Sequence, residues 1–501
     1  MQNQPNILFI QTDQLTANAL SFYGDPVCQT PALDKLAQEG VVFETAYCNF
    51  PLCGPSRASM MTGLLASKTG VFDNASEFAA TLPTYAHYLR DVGYQTCLVG
   101  KMHFIGPDQL HGFEERLTSD IYPADFSWAA NWANESGRDT NDSRAVTVAG
   151  PATRTVQLDY DDEVTYKAVQ KLYHLAQSDD NRPFFLQVSF THPHEPYLCT
   201  REHWDRYEGV EIPMPVVGPR SAEEHDPHSA RILAQFDLLD KTFDDDDIVR
   251  AKRGYYGSVS YIDDKVGELM TVLEATGMLE NTVIIFTSDH GDMLGERGMW
   301  FKKTFFEHSM RIPLLIYAPK FFKPQQVTEF SSLVDLLPTF LSIATDGTWQ
   351  STIEPLDGAD LTAYLDKESE YPTRPIYAEY LSETTPAPIF MIRRGPYKFV
   401  YCAADPDQLY DVVTDPHELN NLAQDESFRE IVTAFHNEID EFWDEDGLTA
   451  EIKLSQQRRQ LVHRAMKTGN PTSWDYAANS DNDALWYRGK EGYNEWAFKH
   501  I

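Results

Sequence analysis

The sequence predicts an α/β fold, with a mostly parallel sheet sandwiched between helices, a small antiparallel sheet after it and an extended C-terminal tail. Three observations predict this. Short apolar runs alternate with stretches of helical periodicity over most of the chain. Several of those runs are apolar at nearly every position, as strands covered on both faces must be. Chemistry-bearing residues recur just beyond their C-terminal ends: Asp13, Lys101, His192, Asp289 and His290. That is the edge at which open α/β sheets bind ligands.

The elements follow in order. Asn6 to Gln11 is a short apolar run that ends at Thr12-Asp13-Gln14 and reads as a buried strand delivering Asp13. Thr30 to Glu39 reads as a helix with Thr30 as its cap ahead of Pro31. Val41 to Ala46 is a second strand, and Ser56 to Gly63 and Leu82 to Val92 are helical. Gln95 to Val99 is a strand running into Gly100-Lys101-Met102-His103. Val164 to Gln177 and Ala251 to Leu273 are helices. Between them, Phe184 to Phe190 is a strand ending at Thr191-His192, and Val283 to Thr287 then leads into Ser288-Asp289-His290-Gly291. Leu314 to Ala318 is a further strand. The run Asp244 to Asp247 reads as a solvated helix start and not as a metal site.

From about Ile376 the pattern changes to short strands joined by turns, at Ile376 to Tyr380, Phe390 to Arg393, Lys398 to Cys402 and Gln408 to Asp411, with a helix from about Glu426. The expected organisation is therefore a catalytic domain over 1–375, a small α+β subdomain over 376–450 and a tail over 451–501. The tail is polar, then rich in Trp474, Tyr476, Trp486, Tyr487, Tyr493 and Trp496. It cannot form a core alone and is expected to pack on the parent domain or on a neighbouring subunit.

The chain has 501 residues, 42% hydrophobic and 23% charged, as a globular protein with a full core has. Lys and Arg total 41 against 76 Asp and Glu, a formal net charge of −35. Such a surface excludes nucleic acid and anionic membranes as partners, since phosphate binding needs clustered Lys and Arg. No signal peptide and no spanning segment is read at the start or elsewhere. Cys28, Cys48, Cys53, Cys97, Cys199 and Cys402 are scattered without a CxxC pair, which fits a reducing cytoplasm.

The decisive segment is Cys53-Gly54-Pro55-Ser56-Arg57, followed by Ala58-Ser59-Met60-Met61-Thr62-Gly63 and lying downstream of the strand that ends in Asp13. Asp13 with Asp289-His290 supplies two carboxylates and an imidazole, a donor set suited to a hard divalent cation. Here the chain resembles the type I sulfatases of the alkaline phosphatase superfamily. The resemblance implies an alkaline-phosphatase-like fold and oxidation of Cys53 to formylglycine by a formylglycine-generating system. Its hydrate is a geminal diol, in which one hydroxyl attacks sulfur and the other collapses to expel sulfate. It also implies Arg57 as the charge partner of that diol, and Asp13, Asp289, His290 and residue 53 as ligands of one divalent ion. Calcium is the expected ion, with magnesium or manganese as substitutes. The chain has Gln14 where many of these enzymes have a second Asp, and Gln14 can coordinate only through its carbonyl.

Gly100-Lys101-Met102-His103 matches the family's G-K-x-H segment, which implies Lys101 on a sulfate oxygen and His103 on the diol. His192 is expected to protonate the leaving alkoxide and Lys302 to bind sulfate, while His194 and His308 are expected to be structural. Longer segments resemble choline-sulfatases: Asp73 to Phe78, Asp120 to Trp128, Ser189 to Tyr197, Ser288 to Lys302, and the tail from Trp474. They imply choline sulfate as substrate and a homo-oligomer, dimer or tetramer, whose tail reaches a neighbour's pocket through Glu491 or Glu495. A trimethylammonium group has no N–H to donate and needs an aromatic face and a carboxylate. Trp128 is the expected face, Glu383 the carboxylate, and Asn74 orients the sulfate end. The rival readings are a phosphonate monoester or phosphodiester hydrolase, another alkyl or aryl sulfatase, and a binding protein that keeps Cys53 unmodified.

Overall fold

The structure is a computed structural model that describes residues 4–132, 143–239, 241–349, 351–365, 374–477, 487 and 492–498. Its main sheet has eight strands. In chain order they are β1 (Asn6–Asp13), β2 (Val41–Phe43), β3 (Gln95–Gly100), β4 (Glu115–Arg116), β5 (Phe184–Pro193), β6 (Thr282–Ser288), β7 (Leu314–Tyr317) and β8 (Gln325–Val327). Across the sheet the order is β8-β2-β7-β6-β1-β5-β3-β4. β6, β1, β5, β3 and β4 run parallel, whereas β7 is antiparallel to both neighbours.

The unbroken apolar character of these strands has a direct cause. In β1, Ile7 and Phe9 enter the core on one face of the sheet, and Leu8 and Ile10 enter the core on the other. β6 divides the same way, Val283 and Ile285 against Ile284 and Phe286. One face is covered by α2 (Cys53–Thr62), α3 (Tyr85–Asp91) and α6 (Leu336–Thr345), through Met60, Met61, Tyr85, Leu89 and Phe340. The other is covered by α1 (Pro31–Glu39), α4 (Val156–Gln177) and α5 (Asp245–Ala275), through Leu33, Leu158, Val164, Val259 and Leu269.

Local differences from the expected elements have physical reasons. Thr30 occupies the N-cap position of α1 but makes no capping bond. The carboxylate of Asp263 on α5 does so instead, accepting the amides of Ala32 at 3.0 Å and Leu33 at 2.7 Å. The strand expected over Val41 to Ala46 turns at Glu44-Thr45, and Ala46–Tyr47 pairs in a separate three-stranded sheet with Arg311–Ile312 and Ser331–Ser332. The helix expected from Ser56 starts at Cys53. The Asp run does open α5: Asp244 caps it by accepting the Asp247 amide.

Beyond the main sheet, β9 (Ile376–Tyr380), β10 (Ile389–Arg394), β11 (Tyr397–Cys402) and β12 (Gln408–Asp411) form an antiparallel meander. α7 (Arg429–Phe442) packs on it, with Phe435 stacked on Phe399, and α8 (Glu445–Met466) follows. The tail packs on its own chain. Asp475 accepts the Ala124 amide at 2.9 Å, the Tyr476 hydroxyl donates to the Arg116 carbonyl at 3.0 Å, and Tyr487 and Trp496 are buried. Glu495 lies at the surface, 3.6 Å from Arg144. Trp486 and Glu491 lie outside the described residues. All six cysteines are buried thiols, and no described helix is long and apolar enough to cross a membrane.

Candidate active site

The topology gathers the site at one edge. β1 ends in Asp13, β6 runs into Asp289 and His290, β3 into Lys101, and β5 into His194 and Glu195. Cys53 is the first residue of α2, whose N-terminal amides and dipole favour negative charge there. Every residue of α2 is buried.

One donor atom each from Asp13, Cys53, Asp289 and His290 lies within 4.8 Å of the others. Cys53 Sγ is 3.3 Å from His290 Nε2 and 3.7 Å from Asp13 Oδ1. Arg57, one turn along α2, reaches Asp13 and Asp289 at 2.8 Å each. It also donates to the Lys101 carbonyl and to Ser189 Oγ at 2.7 and 2.9 Å. Lys101 Nζ stands 2.6 Å from Asp13. Burial raises the pKa of Asp13, but the charges of Lys101, His194 and Arg57 outweigh it and hold the carboxyl well below its ordinary range. Burial likewise lowers Lys101, and Asp13 more than restores it.

These residues fit a divalent cation. Two carboxylates offer oxygen, and burial lowers the pKa of His290 despite the nearby Asp289, so its ring is neutral. His290 Nδ1 faces the Gly291 carbonyl at 3.1 Å, which assigns the proton to Nδ1 and leaves the Nε2 lone pair facing residue 53. Gln14 is engaged differently from the expected ligand role. Its amide nitrogen donates to Asp292 at 2.6 Å, and its carbonyl already accepts from Lys302.

Beside Cys53 opens a pocket. Asn74, Trp128, Lys302 and Glu383 line it, and so do Tyr122, His194, Glu195, Lys303 and Tyr493. Lys302 Nζ is 2.7 Å from His194 Nε2 and 3.7 Å from Glu195. Lys303 Nζ is 2.8 Å from Glu383 and 3.0 Å from the Gln235 side-chain carbonyl. Burial raises the pKa of Glu195, and the neighbouring His194 and Lys302 charges bring it below the ordinary value. Trp128 makes edge contacts with Tyr122 (5.1 Å between centroids) and Tyr493 (5.6 Å). Tyr487 stacks on it at 5.6 Å. Asn74 Oδ1 accepts the Gly54 amide at 2.8 Å, next to Cys53.

Two histidines stand elsewhere than expected. His192 is not on the pocket wall. Asp161 of α4 accepts the amides of Thr191 and His192 and holds His192 Nδ1 at 2.7 Å, and the ring packs on Tyr261. His194, expected to be structural, lines the pocket in its place. His103 is buried behind the wall, with Nε2 3.0 Å from the Asn74 carbonyl and its ring against Tyr122 and Trp128. Burial, reinforced by Lys101, lowers its pKa to about 3, so it is neutral. His308 is half-buried, with Nε2 3.9 Å from Glu296, and does not line the pocket. Sequence reasoning missed Glu195, Lys303 and Tyr122. The His-Glu-Pro step after β5 was the available signal for Glu195. No signal marked Lys303 beyond its adjacency to Lys302.

The fold and this cluster define a sulfatase: the Sulfatase family model matches residues 5–346, and the chain belongs to that family. It is a sulfuric ester hydrolase, and within the family its similarity is to choline-sulfatases. The choline-sulfatase of Rhizobium meliloti is 44% identical over 94% of this chain and 93% of that protein. Residues 295–445 match the model of the N-sulphoglucosamine sulphohydrolase C-terminal region, and 450–496 the Choline sulfatase enzyme C terminal. The N-acetylglucosamine-6-O-sulfatase of Bacteroides thetaiotaomicron is 29% identical over 84% of this chain and 82% of its own. Among solved structures, the phosphonate monoester hydrolase of Agrobacterium radiobacter superposes with a TM-score of 0.71 at 24% identity. The match covers 89% of this chain and 96% of that one, and the fold is alkaline-phosphatase-like.

Proposed function

We propose that the enzyme hydrolyses choline sulfate to choline and inorganic sulfate. One observation carries the reading: a single pocket beside Cys53 brings cationic side chains together with aromatic rings and carboxylates. Cys53, Lys302 and Lys303 line it, and so do the Tyr122, Trp128 and Tyr493 rings and the carboxylates of Glu195 and Glu383. A zwitterion with an anionic sulfate and a quaternary cation matches that combination. The similarity to the Rhizobium meliloti choline-sulfatase supports the same substrate.

In this reading Cys53 is converted to formylglycine, whose hydrate would supply the nucleophilic hydroxyl, and Asp13, Asp289 and His290 would hold a calcium ion, whose chemistry there would be Lewis acidity toward the sulfate. The chain's own residues do the rest. Arg57 neutralises both carboxylates and fixes the start of α2 beneath the sulfate. Lys302 holds a sulfate oxygen. His194 accepts from Lys302 at Nε2, while its Nδ1 faces the Glu195 carbonyl at 2.8 Å. The proton for the departing alkoxide is held between Lys302 Nζ and His194 Nε2, and an alkyl leaving group needs that proton more than an aryl one. Glu383 and Trp128 receive the ammonium end. Buried unpaired thiols fit a reducing compartment, so we place the enzyme in the cytoplasm. We place the homo-oligomer contact in the tail.

Steady-state kinetics with choline sulfate, an aryl sulfate and an aryl phosphonate test the substrate. Choline sulfate is expected to have the highest kcat/KM, and preference for the phosphonate overturns the reading. Mass measurement of the peptide containing Cys53 tests the nucleophile: the mature residue should be lighter by the exchange of SH₂ for O.

A further inference from the structure

The residues that meet the organic end of the substrate sit on loops, and one buried carboxylate ties two of those loops together. Asp73 is fully buried. Its Oδ1 accepts the Ala75 amide at 2.9 Å and its Oδ2 the Ala130 amide at 3.3 Å. The first bond shapes the turn that carries Asn74, and the second anchors the loop two residues beyond Trp128. Asp73 also pairs with Arg459, whose two terminal nitrogens meet the two oxygens at 2.6 and 2.9 Å. This is a buried bidentate pair, which fixes geometry as well as charge.

Arg459 lies on α8, outside the main sheet domain. One turn earlier on the same helix, Gln456 is buried and its carbonyl accepts the Trp132 amide at 2.8 Å. The Trp132 indole in turn donates to the Ser382 carbonyl at 2.6 Å, next to Glu383. Two side chains of one helix thus reach the supports of Asn74, Trp128 and Glu383. At the sulfate end, Asp13, Asp289 and Lys101 have no such dependence, since they end or directly follow β1, β6 and β3. The turn also sits tight against the nucleophile helix: a methyl group added at Gly54 would stand 3.1 Å from Asn74 Oδ1.

We infer that Arg459 and Gln456 are positioning residues for substrate selectivity: α8 sets the placement of Trp128 and Glu383, apart from the strand-borne residues Asp13, Asp289 and Lys101. The inference rests on choline sulfate being the substrate.

Three variants, Gln456→Met, Gln456→Glu and Arg459→Lys, test it against choline sulfate and an uncharged aryl sulfate. Gln456→Glu keeps the acceptor for Trp132, whereas Gln456→Met removes it. Arg459→Lys keeps the charge on Asp73 but loses the two-point contact. The expected result for Gln456→Met and Arg459→Lys is a rise of roughly tenfold in KM for choline sulfate, with its kcat and the aryl kcat/KM within about twofold of the parent. Gln456→Glu should restore the parent KM. Equal losses on both substrates, or no rescue by Gln456→Glu, overturn the inference while leaving the substrate assignment standing. Failure of the parent enzyme to prefer choline sulfate overturns the substrate assignment, and this inference with it. Because Arg459→Lys can destabilise the fold by leaving Asp73 poorly paired, melting curves accompany all three, and Gln456→Met decides if Arg459→Lys does not fold.

Discussion

Glu383 and Lys303 form an ion pair across the pocket wall, with Oε1 2.8 Å from Nζ. The carboxylate proposed to receive the substrate's cation is therefore partly neutralised before substrate arrives. Removing either partner has opposite consequences. Glu383→Gln should raise KM for choline sulfate about tenfold, or roughly 1.4 kcal/mol. Lys303→Gln should lower KM, because Glu383 then faces the pocket with its whole charge. Shifts of the same sign in the two variants contradict the assignment.

Arg57 bridges both carboxylates of the proposed metal cluster, and it is fully enclosed. Arg57→Met leaves two buried negative charges without their guanidinium. Breaking a buried pair of this kind costs about 3–5 kcal/mol. The midpoint of denaturant unfolding should fall accordingly and turnover should vanish. A midpoint equal to that of the parent contradicts this account of Arg57.

Removal of divalent cations should lower both the melting temperature and the activity. A cation that binds only the folded chain stabilises it by about 2.7 kcal/mol at a hundred times its Kd. Elemental analysis before chelation identifies the ion, and calcium should restore the melting temperature better than magnesium. A protein that as purified holds no metal, and whose melting temperature ignores chelators, contradicts the metal reading.

Asp263 carries a pH dependence far from the pocket. Burial raises its pKa from 3.8 to about 7, and the amides of Ala32 and Leu33 offset this only in part. The folded state thus holds a proton that the unfolded chain releases. The stability Asp263 contributes is complete below about pH 4 and is lost as pH rises through about 7. Asp263→Asn should flatten the change in melting temperature between about pH 5 and about pH 8. An unaltered slope in the variant shows that another group carries it.

How much of this was legible in the sequence depends on the range of the interaction. β1, β5 and β6 could be read because covering both faces forces an unbroken apolar run. Cys53 and Arg57 could be placed together because one helical turn separates them. Asp13 and Asp289 could be placed at one edge because each follows a strand. The choice between His192 and His194 could not be made locally, since both lie within four residues of Phe190, where the apolar run ends. Asp161, on a helix earlier in the chain, captures His192 and leaves His194 to the pocket. Asp263 displacing Thr30 as the cap of α1 is the same kind of event, because a side chain distant in sequence offers two acceptors where the local threonine offers one. The Lys303–Glu383 pair and the Arg459–Asp73 pair each join segments whose adjacency only the tertiary fold creates.

Tyr493 borders the pocket from a short helix in the last stretch of the polypeptide. The entrance is thus finished by residues synthesised long after the sheet. A proteolytic nick ahead of Tyr493 would leave the hydrolytic apparatus whole and its mouth a wall short. Such a clipped enzyme should accept bulkier sulfate esters and bind choline sulfate more weakly, and intact mass would show the missing piece.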